Sequence, residues 1–169
     1  WGVSNHPPDL VEAILAAAQE EGTDSPVGVE DYFNIGGAAL MEDGGSRTRW
    51  LQRQMIPMLQ RRGLGLLAFS PMDRGDLAPE KTPDPGSSLA KLCTQIDAVA
   101  AEMNVGRAEI CVAWMVHQEG VTSVLGGAES EEHVDEMVRG TTLNVPPDLL
   151  ARLMQARDTY ADAMEAGQS

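Results

Sequence analysis

Positive charge is scarce in this sequence. Its 169 residues include 12 lysines and arginines against 26 aspartates and glutamates, which gives a formal net charge of −14 at pH 7. Nucleic acids and anionic membrane surfaces attract basic proteins and repel strongly acidic ones. The charge balance therefore argues against nucleic acid and membrane as partners.

Cysteines and long apolar runs are also rare. The two cysteines, Cys93 and Cys111, both lie in stretches with helical apolar spacing, and neither belongs to a CxxC pair or to a cluster with histidine. We interpret them as buried free thiols, which fit a reducing cytoplasm. The apolar runs are far shorter than the roughly 20 residues that a membrane-spanning helix needs. The sequence thus predicts a cytoplasmic protein without a membrane span.

The most informative stretch is 64–75, with the sequence LGLLAFSPMDRG. A short apolar run between turn signals is typical of a strand buried on both faces, as in parallel sheets. Ser70-Pro71 ends the run, because the residue before a proline is disfavoured in helical conformation. Ligands bind beyond the carboxyl ends of such strands. A functional site is therefore expected in the turn that follows Phe69.

Three further segments have the same strand-then-helix organisation. Strands are predicted at 1–5, 27–31 and 121–125, and a glycine-rich excursion at 36–46. Two helices are predicted with both bounds, at 49–62 and at 107–118, and Pro57 should kink or break the first of them. Four more are predicted by their starting points, which are Pro8, Ser87 or Ser88, a cap at Ser130, and Pro147. No hairpin signal separates the units, so we expect parallel strands joined by right-handed crossovers.

Four consecutive parallel βα units are half of a TIM-type (β/α)8 barrel, which usually takes about 250 residues. The predicted fold class is therefore α/β, with one half-barrel domain over 1–169. Because the chain begins with Trp1 rather than methionine, we expect it to be a fragment or one half of a larger assembly.

The segments at the strand ends resemble the aldo-keto reductase family. AFSPMDRG at 68–75 resembles that family's Tyr-Ser-Pro-Leu turn, which a small residue and glycine follow. GVSN at 2–5 is similar to the same string in the family, and VGVEDYFN at 27–34 to its Gln-x-Glu-Tyr-Asn segment. The stretch 113–128 is similar to its Ala-Trp and Ile-Pro-Gly-Ala motifs. The resemblance covers nearly the whole chain and implies the second half of the family's barrel.

The family reduces a carbonyl by hydride transfer from a nicotinamide cofactor. The resemblance implies that Phe69 stacks on the nicotinamide ring and that the turn after it lies along the pyrophosphate. It also implies that Ser4 and Asn5 contact the carboxamide and that 127–136 holds the adenosine end. The residues assigned to the cofactor in this way are Ser4, Asn5, Glu30, Phe69, Ser70, Met72, Arg74, Gly127, Glu129, Ser130, His133 and Glu136.

Several of these positions depart from the family's pattern. Glu30 replaces a glutamine, and an ionised carboxylate cannot donate a hydrogen bond to the carboxamide oxygen. Glu129 stands where a lysine or arginine often binds the 2′-phosphate of NADP, and His133 where an arginine clamps it. Glu131 and Glu132 add further negative charge, which repels a phosphate. The cofactor implied by the resemblance is thus NAD or NADP, with NAD favoured.

The family's proton donor is a tyrosine tuned by an aspartate and a lysine, and a histidine orients the carbonyl. By the resemblance, all four belong to the first half of the barrel. Tyr32 and Tyr160 are the only tyrosines here, and neither matches that motif. The three histidines form no metal-binding spacing such as HExxH; they are His6, His117 and His133. We therefore expect the isolated chain to be inactive towards carbonyl substrates. We also expect it to bind no metal.

Acidic residues follow three of the predicted strands. They are Glu30 with Asp31, then Asp73, then Glu129. Two carboxylates across a barrel mouth can form an acid–base pair of the glycosidase type or hold Mg²⁺ or Ca²⁺, which makes Glu30 and Asp73 candidate catalytic residues. The competing interpretation treats Asp73 and Glu129 as solvated loop or cap residues of an acidic protein.

Three functions fit the sequence. The first is one half of an aldo-keto-reductase-like oxidoreductase, which acts on a small carbonyl substrate once a missing N-terminal half completes it. The second is a non-catalytic half-barrel that self-associates, because open parallel strand edges pair readily. The third is a diverged hydrolase that uses the strand-end carboxylates.

Overall fold

The computed structural model describes residues 1–37, 41 and 45–167. Its four strands form one parallel sheet in sequence order. They are β1 (Val3–Ser4), β2 (Gly28–Tyr32), β3 (Gly65–Phe69) and β4 (Val121–Leu125). A sheet of sequential parallel neighbours results when each strand is followed by a crossover on the same side. The α/β class with four parallel βα units is confirmed.

The helices connect and cover these strands. They are α1 (Pro8–Glu21), α2 (Arg47–Trp50), α3 (Ile56–Arg62), α4 (Ser88–Met103), α5 (Arg107–Val116), α6 (Glu131–Thr142) and α7 (Pro147–Glu165). The serine caps are confirmed: Ser87 Oγ accepts from the Ala90 N–H at 3.1 Å, and Ser130 Oγ accepts from the His133 N–H at 3.2 Å. Such caps satisfy backbone donors of the first helical turn. Most of the glycine-rich excursion at 36–46 lies outside the described residues.

Pro57 interrupts its helix as expected, and the interruption takes the form of a π-helical turn just before it. A π-helical turn, Leu51–Met55, separates α2 from α3, and the Ile56 N–H donates to the Leu51 carbonyl five residues earlier. Pro57 has no N–H to donate, and its ring clashes with the carbonyl of the preceding turn in a regular α-helix. The π-helical turn accommodates the proline without ending the helix, which continues to Arg62.

The sheet has two different faces. Val29, Leu66 and Ala68 are fully buried in a core that they share with the helices. The alternate positions, which include Glu30 and Phe69, point to the opposite face, and these two are only half-buried. We call this second face the inner face. Its residues at the carboxyl ends of the strands are where the resemblance placed the cofactor.

Both cysteines are buried, as predicted. Cys93 lies on α4 and Cys111 on α5, and neither forms a disulfide. Burial raises the pKa of both thiols, because a thiolate loses its hydration in an apolar interior. The two cysteines are therefore unreactive packing residues at neutral pH.

Candidate functional site

A cavity of about 470 Å³ lies beyond the carboxyl ends of β3 and β4. It is bounded by the turn after β3 on one side and by the start of α6 on the other. The cofactor residues predicted from the sequence that line it are Ser70, Met72, Arg74, Gly127, Glu129, His133 and Glu136. These residues are up to 66 positions apart in the sequence, so the parallel strand ends bring them together.

The turn after β3 has an unusual backbone. Ser70, Asp73 and Arg74 all have left-handed conformations, with φ of 68°, 50° and 57°. Residues other than glycine pay about 1–3 kcal/mol each for such conformations, which persist where surrounding contacts enforce them and which cluster at functional sites. Here Ser70 Oγ accepts from the Arg74 N–H at 3.2 Å, and the Ser70 N–H donates to the Leu125 carbonyl at 3.2 Å. The turn is thus attached to β4, across the mouth of the cavity.

Asp73 is not a solvated turn residue, contrary to one of the two interpretations of the sequence. Its exposed fraction is 0%, and its carboxylate lies against Gly36, where an added Cβ would come 2.3 Å from Oδ2. With this left-handed backbone, the Asp73 side chain points away from solvent and towards Gly36. Asp73 is absent from the cavity lining, so the structure gives this candidate catalytic residue no place in the cavity.

The two acidic residues at the end of β2 lie in different environments. Asp31 is fully buried and pairs with Arg47, whose Nη2 lies 2.7 Å from Oδ1 and 2.8 Å from Oδ2. Burial raises the pKa of Asp31, and the hydrogen bond and charge of Arg47 offset part of that rise. Glu30 is half-buried on the inner face beside Leu67, its register partner on β3. Of this pair, only Glu30 remains available to a ligand.

Ser4 and Asn5 lie at the far side of the sheet, outside the cavity. Both are exposed; Asn5 Nδ2 donates to Ser4 Oγ at 2.9 Å, and the Asn5 N–H donates to the Glu30 carbonyl at 3.0 Å. Asn5 also has a left-handed backbone with φ of 57°. The structure therefore arranges the predicted cofactor residues as two groups, one at the ends of β1 and β2 and one around the cavity. Phe69 lies on the strand between them.

The start of α6 contributes the acidic wall of the cavity. Glu129 is exposed, and its N–H donates to His133 Nδ1 at 3.3 Å. This bond makes Nδ1 an acceptor, so the neutral ring of His133 carries its proton on Nε2. Ser130 is the helix cap rather than a lining residue. Glu80 and Glu136 add two more carboxyl groups to the lining, against the single guanidinium of Arg74.

The sequence analysis gives Tyr32 no role, although in the structure it lies beside two predicted cofactor residues. It is the register partner of Phe69, and the two ring centroids are 5.7 Å apart with the planes at 73°. The Arg74 guanidinium lies 5.6 Å from the Tyr32 ring centroid. A signal was present in the sequence, because residues two apart on a strand share a face and the resemblance already assigns Glu30 to the cofactor.

A larger cavity, of about 880 Å³, lies between α4 and α7. None of the predicted cofactor residues lines it. Tyr160 does, and burial raises the pKa of Tyr160 to about 12. The second tyrosine of the chain therefore lines a different cavity from the one at the strand ends.

The part of the chain that the structure describes contains neither a membrane-spanning helix nor a metal-binding cluster. Within 1–37, 41 and 45–167, no helix combines the length and the apolar character needed to cross a lipid bilayer. The same residues contain no group of three or more His, Cys, Asp or Glu side chains arranged to hold a metal ion.

Comparison with known proteins identifies the family. The model of the aldo/keto reductase family matches residues 1–158. The chain belongs to the aldo-keto reductase family. Among solved structures, a thermostable aldo-keto reductase in complex with the inhibitor epalrestat is similar over 92% of this chain, with a TM-score of 0.66 and 20% identity.

The match with that reductase also shows how much of the fold the chain covers. This chain covers 47% of the solved reductase, so it spans about half of that protein's length. At 20% identity the likeness concerns the fold, and it confirms that the four βα units correspond to part of a TIM-type aldo-keto reductase barrel. The sequence resemblance to this family is likewise confirmed.

Proposed function

We propose that this chain supplies the nicotinamide-binding side of an aldo-keto reductase site. The observation that carries the proposal is the convergence of seven predicted cofactor residues on one cavity at the carboxyl ends of β3 and β4. Members of the family generally use NAD(P)H, and the bound cofactor supplies the hydride that reduces a carbonyl. The partner groups that protonate the product would come from the half of the barrel that these 169 residues do not match.

The residues of the cavity fit the central part of a dinucleotide. Arg74 offers a permanent positive charge at the mouth, and the left-handed turn from Ser70 to Gly75 can approach a pyrophosphate closely. Arginine binds phosphate through paired N–H groups. Phe69, the last residue of β3, provides an aromatic face directly before Ser70, which suits a nicotinamide ring. Ser4 and Asn5 provide hydroxyl and amide groups for its carboxamide.

The charge of the cavity favours NAD over NADP. Glu129 and Glu136 line the wall where the resemblance expects the adenosine end, and Glu131 follows in the first turn of α6. A 2′-phosphate at that wall would meet carboxylates, and such like charges repel at short range. NAD carries a neutral ribose hydroxyl at the same position, so it avoids this repulsion.

The experiment is a titration of the purified chain with NADH, followed by calorimetry or by the fluorescence of the reduced nicotinamide. We expect saturable binding that Arg74→Ala weakens by roughly tenfold, which corresponds to the loss of a charged hydrogen bond. Arg61→Ala is the matched control, because Arg61 is an exposed arginine at the end of α3, which leads into the opposite end of β3. Equal weakening by both variants, or no binding by the unmodified chain, would contradict the proposal.

A self-associating half-barrel is the second candidate function, and exposed apolar side chains on the outer elements favour it. On the β4 side, Leu125, Val134 and Val138 have exposed fractions of 38%, 49% and 59%. On the β1 side, Trp1 and Leu10 have exposed fractions of 60% and 44%. Exposed apolar groups beside unpaired strand edges are typical of protein interfaces. A second copy of this chain, or the missing half of a barrel, would cover them.

A further inference from the structure

Tyr32 is the last residue of β2, and it contacts two of the proposed cofactor residues. Its ring meets Phe69 edge to face, at a centroid distance of 5.7 Å. The Arg74 guanidinium lies over the same ring, with its central carbon 5.6 Å from the centroid. One aromatic side chain on the inner face therefore links the residue proposed to stack on nicotinamide to the residue proposed to bind pyrophosphate.

The ring of Tyr32, rather than its hydroxyl, makes these contacts. Tyr32 is 6% exposed, and its buried hydroxyl has no hydrogen-bond partner in the described parts of the chain. A buried hydroxyl without a partner destabilises the fold. Phenylalanine would therefore pack at this position at least as well, so what the site uses is an aromatic face and edge.

Arg74 depends on a neighbour for its direction. Its side chain is exposed, and it belongs to a turn in which Ser70 and Asp73 also have left-handed backbones. The Ser70 hydroxyl accepts a hydrogen bond from the Arg74 N–H, which fixes the backbone but does not orient the long side chain. A guanidinium over an aromatic face is attracted by the ring quadrupole. The Tyr32 ring thus keeps the guanidinium over the inner face instead of leaving it in solvent.

We propose that Tyr32 is a positioning residue for dinucleotide binding. It orients the Phe69 ring by edge contact and the Arg74 guanidinium by the cation–π contact, so that both groups are in place where nicotinamide joins pyrophosphate. This inference rests on the proposed function of the cavity. It assigns Tyr32 no contact with the ligand and no proton transfer.

The test is a double-mutant cycle with NADH as the probe and adenosine as the reference ligand. Adenosine has neither nicotinamide nor phosphate, so a defect confined to Tyr32 and its two neighbours should affect NADH alone. The variants are Tyr32→Met, which keeps apolar volume without a ring, Arg74→Ala, and the two combined. We expect each single change to weaken NADH binding by roughly tenfold and adenosine binding by less than about twofold.

The combined variant should be weaker than either single variant, but by less than the product of the two separate effects, because both changes remove the Arg74–Tyr32 contact while Tyr32→Met also removes the edge contact with Phe69. Tyr32→Phe should restore NADH affinity to within about threefold of the unmodified chain, since it keeps the ring face. A proton donor at this position would instead lose its function in Tyr32→Phe. Fully additive effects, or parallel losses of NADH and adenosine affinity, would show independent or general structural defects and overturn the inference.

Two further outcomes separate this inference from the proposed function. If the unmodified chain does not bind NADH, both fail. If it binds NADH and Tyr32→Met binds equally well, only the inference fails. If circular dichroism shows that Tyr32→Met does not fold, the inference is tested instead by comparing the NADH affinities of Tyr32→Phe and Arg74→Gln. Retained NADH affinity in Arg74→Gln, or a loss in Tyr32→Phe as large as that in Arg74→Gln, would overturn the proposal.

Discussion

Arg47 holds the buried carboxylate of Asp31 with two of its nitrogens. Nε lies 3.1 Å from Oδ1, and Nη2 lies 2.7 Å and 2.8 Å from the two carboxylate oxygens. The Tyr32 N–H donates to the same Oδ1 at 2.8 Å. The pair therefore connects the end of β2 to the start of α2 and fixes the backbone from which the Tyr32 side chain projects. A buried charge retains its place in a protein only with such partners.

Removal of Arg47 should destabilise the chain strongly. Arg47→Met leaves the Asp31 carboxylate buried without a cation, and breaking a buried pair in this way typically costs about 3–5 kcal/mol. Urea unfolding at neutral pH measures the loss. Arg62→Met is the matched control, because Arg62 pairs with Glu12 at the surface, where such pairs contribute little. Equal losses in the two variants would show that burial of the Asp31 pair is unimportant.

The loss in Arg47→Met should also depend on pH. Burial raises the pKa of Asp31, and Arg47 is the group that opposes the rise, so the pKa should be higher still in the variant. A folded-state pKa above the unfolded one means that protonation favours the folded state. The difference in stability between Arg47→Met and the unmodified chain should therefore narrow as the pH falls through the folded-state pKa of Asp31. A gap that widens on acidification would contradict this reasoning.

Two facing glycines set the spacing of β2 and β3. Gly28 and Gly65 are register partners, and a Cβ on Gly28 would lie 2.8 Å from the Gly65 carbonyl oxygen. Because the obstacle is backbone, Gly28→Ala should be destabilising by about 1–3 kcal/mol, as for other overpacked sites. Gly127→Ala is the control, since no atom lies within 4 Å of its added Cβ. Thermal unfolding that shows no difference between the two variants would remove this role of Gly28.

Local signals in the sequence were enough to predict most of the fold. The strand β4 has the predicted bounds, 121–125, because a short segment rich in β-branched residues lies between glycine turns. The cap at Ser130 was predictable because it requires only a serine before a helical pattern. The end of β2 was predicted one residue early, before Tyr32. Its continuation depends on pairing with Phe69, which is 37 positions away and cannot be read locally.

The sequence predicted those site residues whose position follows from the ends of the strands. It did not predict which acidic side chains are buried. The cavity residues follow from the rule that parallel strands present their carboxyl ends at one edge. The burial of Asp73 does not, because a Pro-Met-Asp-Arg-Gly turn is typical of solvent exposure. In the folded chain that carboxylate lies against Gly36, and the backbone of Asp73 is left-handed. The partnership of Asp31 with Arg47 likewise requires the fold.

Cofactor preference should reverse when the charge of the acidic wall is reversed. We expect NADH to bind more tightly than NADPH, and Glu129→Lys to favour NADPH by replacing repulsion of the 2′-phosphate with attraction, by roughly fivefold. Glu20→Lys makes the same charge change on the exposed surface of α1 and should leave the order unchanged. Calorimetric titration with both cofactors measures the preference. Tighter NADPH binding by the unmodified chain would refute the prediction.

The isolated 169-residue chain should not be a monomer. Its outer strands β1 and β4 each have one paired neighbour within the described sheet, and unpaired edges flanked by apolar groups associate. Light scattering at micromolar concentration should report dimers or larger species. Val138→Glu should shift the population towards monomer, and Gln19→Glu, on the exposed side of α1 opposite Leu10, should not. A stable monomer of the unmodified chain would contradict this prediction.

The isolated chain should not turn over carbonyl substrates with NADH or NADPH. Hydride transfer creates an alkoxide that must be protonated, and a positioned acid contributes roughly 10²–10⁴-fold to such a step. Tyr160 lines the other cavity, and the Tyr32 hydroxyl is buried, so neither tyrosine offers that acid at the strand ends. Two copies of the chain would carry the same groups, and self-association would not supply the donor.

Glu30 is the residue through which this last prediction is tested. It is half-buried on the inner face, one strand away from Phe69, and a protonated carboxyl group there could donate to the alkoxide. The measurement is the loss of reduced-nicotinamide absorbance with a panel of aldehydes, for the unmodified chain and for Glu30→Gln, which keeps the shape but cannot transfer a proton. We expect no turnover in either. Cofactor oxidation by the unmodified chain that disappears in Glu30→Gln would overturn the prediction and make Glu30 the proton donor, because the amide preserves hydrogen bonding and removes only the acid.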